Sequence, residues 1–335
     1  MENQRIVLAS RPEGWVTPQN FRLEKAPLPR PADGEVLVKN LWLSLDPYMR
    51  GRISAAKSYV KGVDIGEVMV GQTVGEVMES KHPTLKKGDH VLTQLGWQLY
   101  GATKEATRID GSRAPLSYYL GLLGMPGMTA YFGLKELGQP KPGETVVVSA
   151  AAGAVGSIVG QLAKIRGCRA VGVAGSKDKC EYVVRELGFD ACVSYRVPDL
   201  AAALREACPN GIDVYFDNVG GDVLKAVLRV VNPFARIPLC GIISQYNATE
   251  LPAGPNLAPV LVNRLTIRGF IVSDHVDRLP QFLADCGQWV REGRLKYRED
   301  IVEGLDRAPE AFIGLLRGAN LGKMLVKVGP DPTRR

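Results

Sequence analysis

The chain is 335 residues long and 45% hydrophobic, enough for substantial cores and better divided into two domains than one. Its net charge is +7 and its pI near 9.0, but Lys and Arg are scattered singly and in pairs; the charge reads as a basic exterior and argues against a nucleic-acid surface. Six cysteines in a chain of this length argue against a disulfide scaffold and suit reduced thiols in the cytoplasm.

The opening stretch MENQRIVLAS has an acidic second residue and too little apolar length for a secretory signal. From there to about residue 122 the pattern is of short strands between Pro and Gly turns. Residues 35–45 (EVLVKNLWLSL) alternate as a strand after the turn signal Pro31-Ala-Asp-Gly34. Residues 68–79 hold Gly71 and Gly75 within an alternating run, which predicts bends in a curled sheet or barrel. An irregular β-domain is expected here.

The composition changes at 122–131 (LLGMPGMTAY), where Pro126 and Gly127 are expected to end one element and Thr129 to cap a helix running towards Leu134. The stretch 145–163 carries no charge and is long enough to raise a membrane span. Its detail favours strand, glycine turn and helix. Val146, Val147 and Val148 suit a buried parallel strand, small residues follow, and Ile158, Val159 and Leu162 recur at helical spacing. With that assignment no membrane span is expected. Strands are predicted at 145–149, 170–174, 191–195, 213–216, 236–240 and 266–272, with helices at 157–166, 179–187, 200–207 and 223–231 between them. Six strands make a complete doubly wound dinucleotide-binding sheet, so the fold class is α/β with a Rossmann domain. A helix at 278–293 follows, and the tail from 297, with a helix at 308–316 and a strand at 324–328, is expected to return to the first domain. The expected division is 1–122 with 300–335, and 123–299.

Within the turn, Ala151-x-Gly153-x-x-Gly156 occupies the places of the G-x-G-x-x-G fingerprint. Gly153 lets the backbone approach a pyrophosphate, Gly156 lets the helix pack on its strand, and the amides opening the helix face the anion. An NAD site usually ends the second strand in Asp or Glu. Here Val173-Ala-Gly-Ser-Lys-Asp-Lys179 ends neutral and brings positive charge, so a 2′-phosphate is welcomed and NADP(H) is the expected cofactor. A charge-assisted hydrogen bond of this kind contributes about 1.5–3 kcal/mol. Lys177 reads equally well as a solvated charge, Lys179 less so.

Asn218, at the end of the fourth strand, is a candidate cofactor contact, the bland alternative being a turn-forming Asn. Tyr246, beyond the fifth strand in Cys240-Gly-Ile-Ile-Ser-Gln-Tyr-Asn247, would reach the nicotinamide end, against the alternative of packing. A catalytic zinc needs about three protein ligands and a structural one about four thiolates or imidazoles. All six Cys follow the glycine turn, and before it stand only His82 and His90, so no metal is expected and the cysteines read as small apolar residues.

These residues together resemble the zinc-independent medium-chain dehydrogenase/reductases, in the branch of leukotriene/prostaglandin reductases, plant double-bond reductases and bacterial curcumin reductases. The resemblance spans nearly the whole chain. It is carried by Leu45-Asp-Pro-Tyr-Met-Arg50, Gly124-Met-Pro-Gly-Met-Thr-Ala-Tyr131, Ala150-Ala-Ala-Gly-Ala-Val-Gly156, Gly160-Gln-Leu-Ala-Lys164, Phe216-Asp-Asn-Val-Gly-Gly221, Cys240–Asn247 and Gly318-Ala-Asn-Leu-Gly-Lys323. Residues 54–70 and 246–255 are most similar to the bacterial curcumin reductases. The resemblance implies a GroES-like β-barrel completed by the tail, and a homodimer formed through the cofactor domains. It also implies that Gly153, Ala154, Val155 and Gly156 hold the pyrophosphate and that Lys179 and Tyr195 take the 2′-phosphate. Asn218, Cys240, Gly241, Tyr246, Phe270, Ile271, Val272 and Asn320 match the remaining cofactor contacts. Tyr48, Tyr59 and Tyr246 match residues at the substrate.

The implied reaction is NADPH-dependent reduction of the double bond of an α,β-unsaturated ketone or aldehyde. Tyr246 would hydrogen-bond the carbonyl oxygen as enolate charge develops. The α-carbon proton would come from solvent or from Tyr246. A quinone reductase of the same superfamily is the alternative; an NADPH-linked nucleic-acid or partner-binding protein is a further one, against which the absence of a basic cluster argues.

Overall fold

The computed structural model describes residues 2–55, 60–250 and 252–334. It divides into two compact units, Met1–Gly121 with Glu299–Arg335, and Leu122–Arg298. Among the described residues no helix is long and apolar enough to cross a membrane.

The first unit begins with an antiparallel pair, β1 (Glu2–Leu8) and β2 (Phe21–Pro27). Strand β3 (Val36–Ser44) follows; the alternation expected there gives way to burial on both faces, because β3 sits at the middle of its sheet. One edge of β3 pairs with β4 (Thr73–Ser80). The one-turn helix α1 (Met49–Arg52) lies between these strands in sequence. Gly75 stands where the β3–β4 register slips, between the pairs Asn40↔Gly75 and Trp42↔Val74. A Cβ at Gly75 would meet Lys39 O at 2.4 Å, so the bend expected there has a steric cause. Strands β5 (His90–Thr93), β6 (Tyr100–Thr103) and β7 (Thr107–Arg108) extend the sheet, with β6 on the first half of β3.

The second unit starts with α2 (Met125–Phe132). Here the expectation at Pro126 is corrected: proline opens the helix instead of closing an element, since first-turn residues need no amide hydrogen. Thr129 lies inside the helix, its Oγ1 donating to Met125 O at 2.7 Å, and caps nothing. Then come β8 (Thr145–Ser149), α3 (Gly156–Ile165), β9 (Arg169–Ala174), α4 (Lys177–Arg185), β10 (Ala191–Ser194) and α5 (Leu200–Ala207). They are followed by β11 (Ile212–Phe216), α6 (Gly221–Val227), β12 (Val231–Leu239), α7 (Ala258–Val262), β13 (Thr266–Gly269) and α8 (Leu279–Arg291). The six strands form one parallel sheet in the order β10-β9-β8-β11-β12-β13, the doubly wound arrangement.

Val146, Val147 and Val148 are fully buried, each contributing about 1.5–3 kcal/mol by area. Strand β12 starts at Val231, inside the stretch expected to be helical. Pro233 and Phe234, the latter at φ +63°, form an irregularity between its pairs Ile212↔Val231 and Val214↔Arg236, and that irregularity masks the strand in the sequence. Strand β13 ends at Gly269, so Phe270 to Val272 lie beyond it.

The chain then returns to the first unit with β14 (Glu299–Glu303), α9 (Ala308–Leu316) and β15 (Lys323–Lys327). Strand β15 pairs with the last half of β3, and Phe312 of α9 lies edge-on to Trp97, itself stacked on Phe21, in the unit's core.

Candidate active site

In the second unit every strand of the parallel sheet leads at its carboxyl end to a residue of the expected cofactor set. Gly153–Gly156 follow β8, Lys179 follows β9, and Tyr195 is the first residue after β10. Asn218 follows β11, Cys240 and Gly241 follow β12, and Phe270 follows β13. The strand order reverses between β8 and β11, and ligands of open α/β sheets sit in the crevice beyond such a reversal.

The glycine turn is built around one carbonyl. Ala150 is held at φ +52°, a conformation costing about 1–2 kcal/mol for a residue with a Cβ. Its oxygen accepts from Gly153 N at 2.9 Å. A Cβ on Gly156 would meet that oxygen at 2.3 Å, and one on Gly153 at 3.1 Å. Glycine at 156 therefore permits α3 to start directly against the strand end. Ala151 and Ala152 are buried, while Gly153, Ala154 and Val155 remain partly open. The amides of Ser157 and Ile158 donate to Gly153 O and Val155 O, at 3.1 and 3.0 Å, and the start of α3 carries the positive end of the helix dipole, which fits an anionic bridge.

Across the reversal, Asp217 organises the loop that bears Asn218. Its Oδ1 accepts from Tyr215 Oη at 2.8 Å, Gly220 N at 2.8 Å, Val219 N at 2.9 Å and Ser149 Oγ at 3.2 Å. Burial pushes this carboxyl above its ordinary range, opposed by those donors. Asn218 is tied to β8 twice, through its N to Ser149 Oγ at 2.9 Å and its Nδ2 to Ser149 O at 2.8 Å. Asp217 and Ser149 escape a reading of the sequence because they are separated by 68 positions and meet only through the strand order.

The loop after β12 is stitched to the same place. Cys240 N and Gly241 N both donate to Asp217 O, at 2.8 and 3.1 Å, and Ser244 Oγ donates to Val219 O at 2.6 Å. Tyr246 folds back so that a Cβ on Gly241 would lie 3.3 Å from its hydroxyl. The Cys240 thiol is pushed up to about 12 by burial and by nearby Asp217. Phe270 packs edge-on to Phe216, centroids 6.1 Å apart.

At the β9–β10 edge, Ser176 caps α4 by accepting from Lys179 N at 3.3 Å. Tyr195 lies over Gly175, where a Cβ would come within 2.8 Å of its hydroxyl, and the residue is 44% exposed. Arg196 sits 5.9 Å from that ring's centroid, a second cation beside the position assigned to the 2′-phosphate. Only its adjacency to Tyr195 could have singled it out. Lys177 is 87% exposed and pairs loosely with Glu181, as a solvated charge does.

Two further expected residues belong to the first unit. Tyr48 precedes α1 and packs partly against the core; Asn320 is buried, its Nδ2 donating to Gly322 O at 2.7 Å. Their loops are joined by a buried pair: Lys323 Nζ lies 2.9 Å from Asp46 Oδ1 and 2.7 Å from Leu45 O, and Ser44 Oγ donates to the other Asp46 oxygen. Tyr59 falls outside the described residues. Among the described residues no group of three or more His, Cys, Asp or Glu is placed to hold a metal ion.

Comparison with known proteins finds relatives along nearly the whole chain. Residues 4–109 match the N-terminal domain of oxidoreductase, and residues 154–287 match the family described as zinc-binding dehydrogenase. The chain is 50% identical to the NADPH-dependent curcumin reductase of Escherichia coli over 98% of each chain. It is 42% identical to the NADP(+)-dependent 2-alkenal reductase of Nicotiana tabacum over 99% of each. The crystal structure of CurA from Vibrio vulnificus in complex with NADPH superposes with a TM-score of 0.94 at 50% identity, covering 98% of this chain and 99% of that one. The chain belongs to the medium-chain dehydrogenase/reductase family, in its zinc-independent branch with the curcumin and alkenal reductases.

Proposed function

We propose that this chain is an NADPH-dependent reductase of the carbon–carbon double bond of α,β-unsaturated ketones and aldehydes. The observation that carries the reading is the set of six parallel strand ends, each leading to a residue expected of a dinucleotide site. Support also comes from the names of its relatives, one of which is a reductase of 2-alkenals, α,β-unsaturated aldehydes by definition.

In this reading Gly153, Ala154, Val155 and Gly156 hold the pyrophosphate, and Lys179 and Tyr195 bind the 2′-phosphate. Asn218, Cys240, Gly241, Phe270, Ile271, Val272 and Asn320 contact the rest of the cofactor. When bound, NADPH supplies a hydride for the β-carbon of the acceptor. The chain's own part is to stabilise the charge that develops on the carbonyl oxygen. Tyr246 is the donor, and its hydrogen bond strengthens as the enolate forms. Tyr48 lines the substrate. The enolate's α-carbon is protonated by solvent or by Tyr246.

We place the protein in the cytoplasm, where six thiols without a disulfide are at home. A homodimer through the second unit is supported by its open sheet edge. Strand β13 is exposed along its whole length, beside Leu257, Leu261 and Val262, which are 64%, 80% and 65% exposed. Light scattering reads the mass directly.

The test of activity is a panel of enones, 2-alkenals and quinones followed by loss of NADPH absorbance. Faster turnover of the enones is expected, and Tyr246→Phe is expected to lower kcat on them by about 10²-fold. Turnover of quinones alone, or an unaffected Tyr246→Phe enzyme, contradicts the reading.

A further inference from the structure

A buried ion pair in the first unit takes no direct part in the chemistry above. The side chains of Lys323 and Asp46 are 1% and 6% exposed, and their chain neighbours Leu45 and Met324 belong to the unit's apolar core. Lys323 Nζ lies 2.9 Å from Asp46 Oδ1 and donates to Leu45 O at 2.7 Å, while Ser44 Oγ donates to Asp46 Oδ2. Burial pushes the Lys323 ammonium below its ordinary range, and the Asp46 charge and hydrogen bond oppose that shift.

Each partner begins a short path to an assigned residue. Met49 N donates to Asp46 O at 3.1 Å, so Asp46 also closes the turn that contains Tyr48. On the other side, Lys323 ends the turn Gly318-Ala-Asn-Leu-Gly322, whose start is fixed to α9 by Ala319 N donating to Gly314 O at 2.9 Å. Within that turn Leu321 N donates to Asp300 Oδ2 at 3.1 Å, and Asn320 Nδ2 returns to Gly322 O at 2.7 Å. Strand pairing brings the two segments together as far as Leu325↔Ser44. One residue further, Leu45 N reaches Met324 O at only 3.4 Å, and there the side-chain pair takes over from the ladder.

Stability alone does not call for charges at this place. Taking two ions out of water costs about as much as their attraction returns, and apolar side chains of similar volume stabilise such a site as well or better. What the pair adds is direction. One ammonium bound to a carboxylate and to a carbonyl fixes Lys323 against Asp46 and Leu45 at the same time, which apolar contact would not do.

We propose that the Lys323–Asp46 pair is a positioning device of the reductase, locking the turn that bears Asn320 to the segment that bears Tyr48 so that the two residues are held as one piece. The consequence for turnover rests on the cofactor and substrate roles proposed above for Asn320 and Tyr48.

The experiment compares the native full-length chain with Lys323→Met and with Lys323→Met/Asp46→Asn, each assayed where circular dichroism shows it folded. Lys323→Met strands a buried carboxylate and is expected to lower the urea midpoint sharply, and the neutral double variant is expected to regain most of that loss. Its kcat on an enone is expected to stay about tenfold or more below the native value, since misplacement by about 1 Å carries a penalty of that order or larger. Stability regained without kcat is the result that a merely structural pair cannot give. A double variant with native kcat overturns the proposal, and so does one that regains neither stability nor kcat. Hydrogen exchange on the native chain tests the lock without any substitution. The amides of Met49 and Leu321 are expected to show the same protection, because one opening releases both, and unequal protection overturns the proposal. A native chain inactive on every enone would contradict the proposed function instead, and the exchange result would still decide whether the lock exists.

Discussion

The centre of the parallel sheet and its β10 edge are built on opposite terms. At the centre, β8 and β11 are buried, and Ser149, Asp217 and Asn218 hydrogen-bond one another and the backbone. At the edge, β10 is only half-buried, Tyr195 is exposed, and the contacts are those of movable side chains. The contrast shows in two glycines. A Cβ on Gly156 would strike backbone, Ala150 O at 2.3 Å, whereas a Cβ on Gly175 would strike the far end of Tyr195 at 2.8 Å. In the proposed reading the centre holds the part common to dinucleotides, and the edge decides which dinucleotide is held.

Substitutions should break this contrast in graded fashion. The largest effect is expected from Asp217→Ala, which strips the acceptor from the buried Tyr215 hydroxyl and from two backbone amides. At about 1–3 kcal/mol for each stranded donor, urea denaturation should show a loss of at least about 3 kcal/mol. Asp217→Asn sharpens the point through pH. The folded-state pKa of Asp217 is raised above 3.8, so ionising it costs stability as pH climbs above that value. The stability of the native chain minus that of Asp217→Asn should fall with rising pH above about 4 and then level off.

Next comes Gly156→Ala, where α3 must shift; about 1–3 kcal/mol of stability and affinity for both NADPH and NADH should be lost together. At the edge, stability and cofactor choice should separate. Lys179→Ala should weaken NADPH by about tenfold or more, as expected for a charge-assisted hydrogen bond, and leave NADH alone. Gly175→Ala should change stability by less than about 0.5 kcal/mol yet shift NADPH affinity by moving Tyr195. Lys177→Ala should do neither. Titration calorimetry with both cofactors reads each case.

The same contrast explains what was legible in the sequence. Strand β8 could be read to the residue because three consecutive valines are buried by any parallel sheet. Strand β12 could not, because Pro233 and Phe234 interrupt it and the partner that tolerates the irregularity is distant in sequence. Pro126 misled for the opposite reason, since one residue type both opens helices and breaks them. Among site residues, the glycine turn and Lys179 follow from local chemistry. The Asp217 network and the Asp46–Lys323 pair do not, because each joins segments that only the fold makes neighbours.

The central claim is that hydride reaches carbon, not oxygen, of a conjugated acceptor. It is tested most directly by turning over an α,β-unsaturated ketone with NADPH deuterated at the transferred position and locating the label by NMR. The account predicts a saturated ketone with its carbonyl intact and deuterium at the β-carbon. Deuterium at the carbonyl carbon of an allylic alcohol would contradict it.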